Sequence, residues 1–469
     1  MKHRFCVPAA GLALSLALAA CGGGGGDGGA TGGGGFGPST PPSIDGTRVV
    51  LGSSSAGGCS ARTLLDANGN ATLFWCQQVN GSNQLVAGRV AAGAAAAASA
   101  VIEQGYTTAE ADNGFTVKPV GNDKFVMLDR FMASSSAAGT RSRVITAPSA
   151  GGNFSATAAQ LLHADITASS ALVADGTSQL HLTVNAATTS AGTQSLGGGL
   201  SASALAVASP FATVDSQYWL DGAPGAPSLF WGVFGKASPG DVQSLYVSGV
   251  SLSDGSVAPV SKISNDAIRQ STGGISCFGK QQLLLTSGGN AVAAWLQLDE
   301  LSTNCDLYVQ GRKVNAPASS VRNFAVTTSG NAPVAVWWEA KGQEIGGTRV
   351  RWSRFDTASQ TWSTPTAIDT SFEASNVGQY VEPAGEQAMV NGPNGTLALM
   401  WSTCKETAPF VCQTTQRLVS KYSGGVWSTY SIALEAGDLA GLAINASGQG
   451  VAYMGCASSQ CQARSLYRF

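Results

Sequence analysis

The chain is poor in charge and poorer still in histidine. Only 12% of its 469 residues are charged and the formal net charge is −2. The basic residues are scattered, and no run of them could follow a phosphate backbone, so nucleic acid is not expected as a partner. His163 and His181 are the only histidines beyond His3, which leaves little for a histidine-based metal site. Catalytic signatures are missing too. Gly274-Ile275-Ser276-Cys277-Phe278 misses the nucleophile-elbow pattern at its last position, and there is no H-E-x-x-H, phosphate loop or C-x-x-C pair. The nearest approaches to paired carboxylates are Asp299-Glu300 and Glu382 with Glu386. Adjacency in sequence does not provide the separation across a bond that glycoside hydrolysis requires. No cofactor is implied, and the sequence leans against an enzyme without excluding one.

Amphipathic helical periodicity is almost absent as well. With 60 glycines and much Ser, Thr, Ala and Val, this argues for many short strands joined by turns. The stretch 324–369 reads as one four-stranded unit. Its strands run from Phe324 to Thr328, Pro333 to Glu339, Thr348 to Phe355 and Thr361 to Ile368, with Ser329-Gly330-Asn331 as a hairpin turn. A turn followed by an apolar strand, often ending in an aromatic, recurs at 66–75, 226–231, 287–295, 329–338, 392–401 and 446–453, and more faintly at 121–128 and 175–182. These second strands are apolar on both faces, which suits sheets covered on both sides. The alanine-rich 91–100 lies between two strands and contains Gly93, so a loop or single helical turn is expected there.

The last unit has only three strands, whereas Thr47-Arg48-Val49-Val50-Leu51 is a strand with no turn before it. Pairing the two would remove an exposed edge. The expected fold is therefore an all-β propeller of eight four-stranded blades over residues 47–469, closed by its N-terminal strand. Seven blades or a linear β array are the alternatives.

Cys59, Cys76, Cys277, Cys305, Cys404, Cys412, Cys456 and Cys461 lie in this region. Eight cysteines allow 105 connectivities. Their spacing about individual turns favours sequential pairing as disulfides in an oxidising compartment. Trp75, Trp231, Trp295, Trp337 and Trp401 recur at one position per repeat and are read as core. Trp219 and Trp338 fall outside that pattern and are the candidate surface-binding aromatics. Asp66-Ala67-Asn68-Gly69-Asn70 has part of the look of a calcium loop, but its Gly position and missing terminal Glu fit an Asn-Gly hairpin better.

Residues 1–20 have a basic start, Lys2 and Arg4, and an apolar core too short to remain as a membrane-spanning helix. The ending Leu18-Ala19-Ala20-Cys21 resembles the lipobox of bacterial lipoproteins. That resemblance implies a signal peptide over 1–20, lipidation of Cys21 and attachment to a membrane through acyl chains. Gly22 in place of Asp after the cysteine implies outer-membrane delivery, with the periplasmic or surface side left open. Residues 21–46 would then be a Gly/Pro-rich tether, with a reach of roughly 25–30 Å.

Gly-x-Ala-x-Ala-Val-Trp-like strands followed by a basic third strand and Trp-Ser-x-Pro, as in 289–297 and 349–368, resemble repeats of secreted bacterial propellers. The likeness implies a fold related to the sialidase-like and quinoprotein-like propellers. Sialidase chemistry itself is not implied, because 251–256 lacks the spacing and the Trp of an Asp-box and no Arg-Ile-Pro occurs. Asp356 to Trp362 is a loose copy, without its Gly, of the repeat of an outer-membrane assembly lipoprotein with an eight-bladed propeller. These observations point to an envelope lipoprotein that binds an envelope protein or an extracellular polymer such as a glycan. A carbohydrate-active hydrolase with its site in an axial funnel is the alternative.

Overall fold

The structure is a computed structural model. It describes residues 41–52, 55–56, 61–106, 115–119, 123–134, 137–148, 153–163, 169–174, 178–185, 188–195, 205–207, 213–221, 228–236, 244–251, 261–262, 281–285, 291–298, 304–317, 319–329, 332–340, 348–368, 378–380, 388–408, 411–434, 438–455 and 463–469. Among these residues there is no α-helix, only strands and two short 3-10 turns, Asp45–Thr47 and Pro393–Gly395. The strands form eight antiparallel sheets, each with a four-strand path.

The sixth sheet shows how local sequence sets the pattern. Its strands are Ser320–Ser329, Ala332–Ala340 and Thr348–Asp356, followed by two short outer pieces, Thr361–Trp362 and Thr366–Ala367. Pro365 stands where the expected fourth strand breaks, since a proline cannot donate to a strand ladder. Alternation along the central strands sends side chains to two different seams. Phe324, Val326, Ala335 and Trp337 pack towards the fifth sheet with Leu296, Leu307 and Val309. Ala325, Val334, Val336 and Val350 pack towards the seventh sheet with Leu397, Leu399 and Trp401. This is why the second strands read as apolar on both faces.

The first sheet comprises Arg62–Leu65, Ala71–Val79, Ser82–Val90 and Ala98–Gln104, with the short Ser55–Ala56 also paired to Ala71–Val79. Residues 91–97 form turns, and the rest of the alanine-rich stretch begins the fourth strand. The second sheet comprises Phe115–Pro119, Lys124–Ser134, Ala137–Thr146 and Ser155–Ala156. The eighth comprises Asp438–Ile444, Gly450–Gly455 and Arg464–Arg468, with Val49–Gly52 as its fourth strand. Val49 stands opposite Leu466 and Val50 opposite Ser465. The innermost strands of successive sheets lie against one another, and Asp438–Ile444 of the eighth sheet lies against Arg62–Leu65 of the first. The packed body takes in residues ahead of Thr47: Ile44 is buried in the seam between the seventh and eighth sheets. Residues 1–40, which hold Cys21 and most of the tether, lie outside the described residues.

Trp75, Trp295, Trp337 and Trp401 are 4%, 0%, 0% and 1% exposed, in agreement with the core reading. Each indole N–H is satisfied. Trp75, Trp295 and Trp337 donate to the side chain two residues on, Gln77 at 3.4 Å, Gln297 at 3.3 Å and Glu339 at 2.8 Å. Trp401 donates to Ser420 Oγ at 2.8 Å. A W-x-Q/E step thus serves burial and hydrogen bonding together. The Trp75 ring lies over Gly88, where an added Cβ would meet it at 2.8 Å.

Candidate functional site

By antiparallel strand order, the connections from first to second and from third to fourth strand belong to one end of each sheet, the turn end. Those from second to third strand, and from one sheet to the next, belong to the other, the connection end. At the turn end, Asp66 accepts the N–H groups of Asn68 and Asn70 on Oδ1, and Asn70 Nδ2 and Arg89 on Oδ2. With its oxygens taken by these donors and Gly69 at a φ of +80°, the 66–70 segment is a hairpin turn. Asn445 repeats the device, accepting Ser447 and Gln449 N–H groups on Oδ1. The turns also bond from sheet to sheet. Asn445 Nδ2 donates to Asp66 O at 3.0 Å, Thr396 Oγ1 to Asn445 O at 3.1 Å and Thr327 Oγ1 to Gly392 O at 3.2 Å.

The connection end carries a cluster of charge between the first two sheets. Asp129 is the cross-strand partner of Arg141, and Arg143 follows two residues later on the same face. Glu103, on the fourth strand of the first sheet, stands opposite Leu85, which packs into the seam with the second sheet. Arg141 Nε donates to Asp129 Oδ2 at 2.9 Å, and its Nη2 to both Glu103 oxygens at 2.9 and 3.0 Å. Arg143 also donates to Glu103. Tyr106 lies beneath, with Arg141 over its ring at 5.8 Å.

Exposure grades through the cluster. Glu103 keeps 24% of its side-chain exposure, Arg141 16%, Arg143 4% and Asp129 none. Burial pushes the Asp129 carboxyl above its usual range, against the downward pull of Arg143 and Arg141. Burial, reinforced by the charge of Asp129, pushes the Tyr106 phenol well up. Among the described residues, Tyr106 Oη, Asp129 Oδ1 and Arg143 Nε are buried without a hydrogen-bond partner. Chemically, this is a neutral set of two carboxylates and two guanidiniums. It clamps two sheets together and offers one carboxylate, that of Glu103, to the surface.

None of these five residues stood out in the sequence by motif. A usable signal was present: Asp129 lies in FVMLDRF and the arginines in RSRVI, charges set within strands otherwise built for burial.

The other candidate residues are dispersed. Cys76 and Cys305 are buried. Cys76 lies near the connection end of its strand, and Cys305 begins the third strand of the fifth sheet. Cys404 stands opposite Thr414 and Cys412 opposite Glu406, on the two strands flanking one connection. Cys59, Cys277, Cys456 and Cys461 fall in connecting segments outside the described residues, as do Asp299, Glu300, Glu382 and Glu386. The four described cysteines, Cys76, Cys305, Cys404 and Cys412, all lie towards the connection end of their strands. Trp219 is on Thr213–Asp221, opposite Gly232. Trp338 is half-buried and packs with Trp352 and Trp427 against the seam between the sixth and seventh sheets. Asp356 caps its own turn, accepting Ala358 N–H at 2.9 Å, and Trp362 packs edge-on to Phe355.

No family model matches the sequence, and no curated protein matches it. Solved structures similar to the chain include a polysaccharide lyase, Uly1, at 10% identity and a TM-score of 0.42, covering 88% of this chain and 89% of that one. The β-propeller domain of the Trilobed protease from Pyrococcus furiosus has 10% identity and a TM-score of 0.41, with coverage of 76% and 95%. An α-L-arabinanase of Penicillium chrysogenum complexed with arabinobiose has 10% identity and a TM-score of 0.34, with coverage of 90% and 97%. Likeness at this level carries no argument about this chain's activity.

Proposed function

We propose that the chain is an exported lipoprotein, acylated at Cys21 and delivered to the outer membrane. Its eight sheets are the blades of a closed β-propeller, and its connection end binds an envelope protein or an extracellular glycan. The observation that carries the binding reading is the contrast between the two ends of the sheets. One has its turns at 66–70, 392–396 and 445–449 bonded from sheet to sheet, whereas the other carries the connections between sheets, the solvent-reaching Glu103 cluster and Cys76, Cys305, Cys404 and Cys412.

Ring closure is supported by several contacts between the first and eighth sheets. Beyond the Asn445–Asp66 bond, Arg468 donates to the carbonyls of Gly69, Val90 and Ala91 at 2.7, 3.0 and 2.9 Å. Arg464 donates to Cys76 O at 3.1 Å and lies over the Trp75 ring. Sequential disulfides 59–76, 277–305, 404–412 and 456–461 are part of the proposal. The bonded state of the Cys76 and Cys305 sulfurs supports it. Such bridges would stiffen the connections and reduce the entropy lost when a partner orders them.

The experiment is co-purification of the lipidated protein from gently crosslinked, detergent-solubilised envelopes. A stoichiometric partner, lost on charge substitution at the connection end, is the expected result. Recovery of the protein alone would sink a stable binding role.

The carbohydrate-active alternative draws on one observation, the solvent-reaching Glu103 beside two arginines and a second carboxylate. Its test is a glycan-hydrolysis screen of the intact chain and of Glu103→Gln. Turnover abolished by that change would displace the binding reading.

A further inference from the structure

The place where the tether joins the body has a composition of its own. Ser43 pairs in parallel with Ser431 on the outer strand of the seventh sheet. Ile44 N–H donates to Ser431 O and Ser431 N–H to Pro42 O, both at 3.0 Å, while Ala433 N–H is held by Asp45 Oδ1 at 2.9 Å. Thr47 Oγ1 then donates to Arg468 O at 3.0 Å, after which Val49–Gly52 begins. Residues 41–47 therefore form a strap across the outer strands of the seventh and eighth sheets, and the tether can leave only from there.

The same wedge holds three of the six exposed large hydrophobic residues among the described residues: Val50, Val426 and Leu434, at 52%, 65% and 45%. Val49 and Leu51 pack towards the first sheet, so Arg48 and Val50 turn the other way, towards the seventh. Tyr430 and Ile432 pack towards the eighth sheet, and Val426 shares their side of the strand. Leu434 follows the strap-bound Ala433. Lys421 Nζ stands over the rings of Tyr430 and Phe469 at 5.5 and 5.9 Å, and Arg48 is exposed beside Val50. Isolated surface valines need no explanation. Apolar side chains set along two neighbouring outer strands, with aromatics and cations beside them, at the root of a tether are the composition of a lipid–water interface.

We propose that this wedge is the surface that the body lays against the membrane, Val50, Val426 and Leu434 entering the headgroup region while Arg48 and Lys421 meet anionic lipid. The inference rests on acylation of Cys21. From that anchor, the 19 residues from Gly22 to Thr40 reach roughly 25 Å, enough to lay the wedge on the bilayer while keeping it the part of the body nearest the anchor.

The test uses the full-length acylated protein in phosphatidylethanolamine–phosphatidylglycerol vesicles. A photoreactive benzoylphenylalanine is placed at position 50 or 426 and, as controls, at the exposed Val79 and Leu161. Lipid adducts are expected at 50 and 426 and not at 79 and 161. Arg48→Glu with Lys421→Glu should lower the yield about fivefold per residue in these vesicles, with circular dichroism confirming that the fold persists. The mass of the N-terminal peptide and flotation of the protein separate the two ways of failing. An acylated protein that floats without adducts at 50 and 426, or with equal adducts at all four positions, overturns the docking surface alone. A Cys21 peptide without acyl chains, on protein that does not float, overturns the anchoring and the docking together.

Discussion

The two ends of the sheets join neighbouring sheets in different proportions of hydrogen bond and ion pair. The turn end has an ion pair of its own, Arg89 bridging Asp66 to Asp123 of the second sheet at 2.8 Å. At the turn end, Asp66, Gly392, Thr396 and Asn445 are bonded within their own turns and also across sheets. Little there can change without breaking a bond to the next sheet. At the connection end, the first two sheets are joined by ion pairs that reach from buried Asp129 out to Glu103. The first kind of joint fixes geometry, and the second tolerates replacement of the chain around it. Freedom to vary is what a binding surface requires.

The sharpest way to break the contrast is Asp129→Ala. It removes the buried carboxylate that pairs with Arg141 and Arg143 and should cost about 3–5 kcal/mol in urea unfolding. If the cost is no more than that of a surface change, the clamp is not what joins the sheets. Next comes Cys305→Ser, expected to lower stability by about 2–4 kcal/mol through loss of a disulfide. Reduction of the intact protein should reproduce the loss, and an unchanged unfolding midpoint would remove the stapled-loop account of this end. Asn445→Ala probes the turn end. It removes bonds to Asp66 and within its own turn, so a loss of about 1–3 kcal/mol is expected, with faster amide exchange at 66–70 as the readout.

The smallest effect is a pH dependence. Because the folded pKa of Asp129 is raised by burial, the native state holds this proton more tightly than the unfolded chain does. The contribution is fully present below the ordinary aspartate pKa of about 3.9 and is lost as pH rises through the folded value. The unfolding midpoint of the native protein should therefore fall relative to Asp129→Asn on leaving acid, and parallel profiles would contradict the raised value.

Much of the architecture was legible because it rests on local signals. Turn residues followed by an apolar run marked a second strand at both strong and faint sites: the KFVML of the first faint site opens Lys124–Ser134, and the SQLHL of the second opens Ser178–Asn185. The strand at Val49 could be foreseen because an unpaired edge is costly. The charge cluster could not, since Glu103 meets Arg141 only through the register of the second sheet and the packing of two sheets. Trp338 shows the same limit: alternation set it opposite Trp337, but only the packing of the seventh sheet on the sixth determines that it covers the cluster around Trp401.

The pairing of Val49–Gly52 with Arg464–Arg468 also sets an order of events during synthesis. A chain made from its N-terminus presents this strand hundreds of residues before its partner exists. Until then the strand is an open template for any passing chain. Seven sheets can assemble in the meantime, but the eighth waits for the last residues to arrive. A truncated product would therefore keep both an unfilled edge and an idle strand, a combination suited to joining one molecule to another. Quality control of this protein thus comes down to whether its two extremities have met.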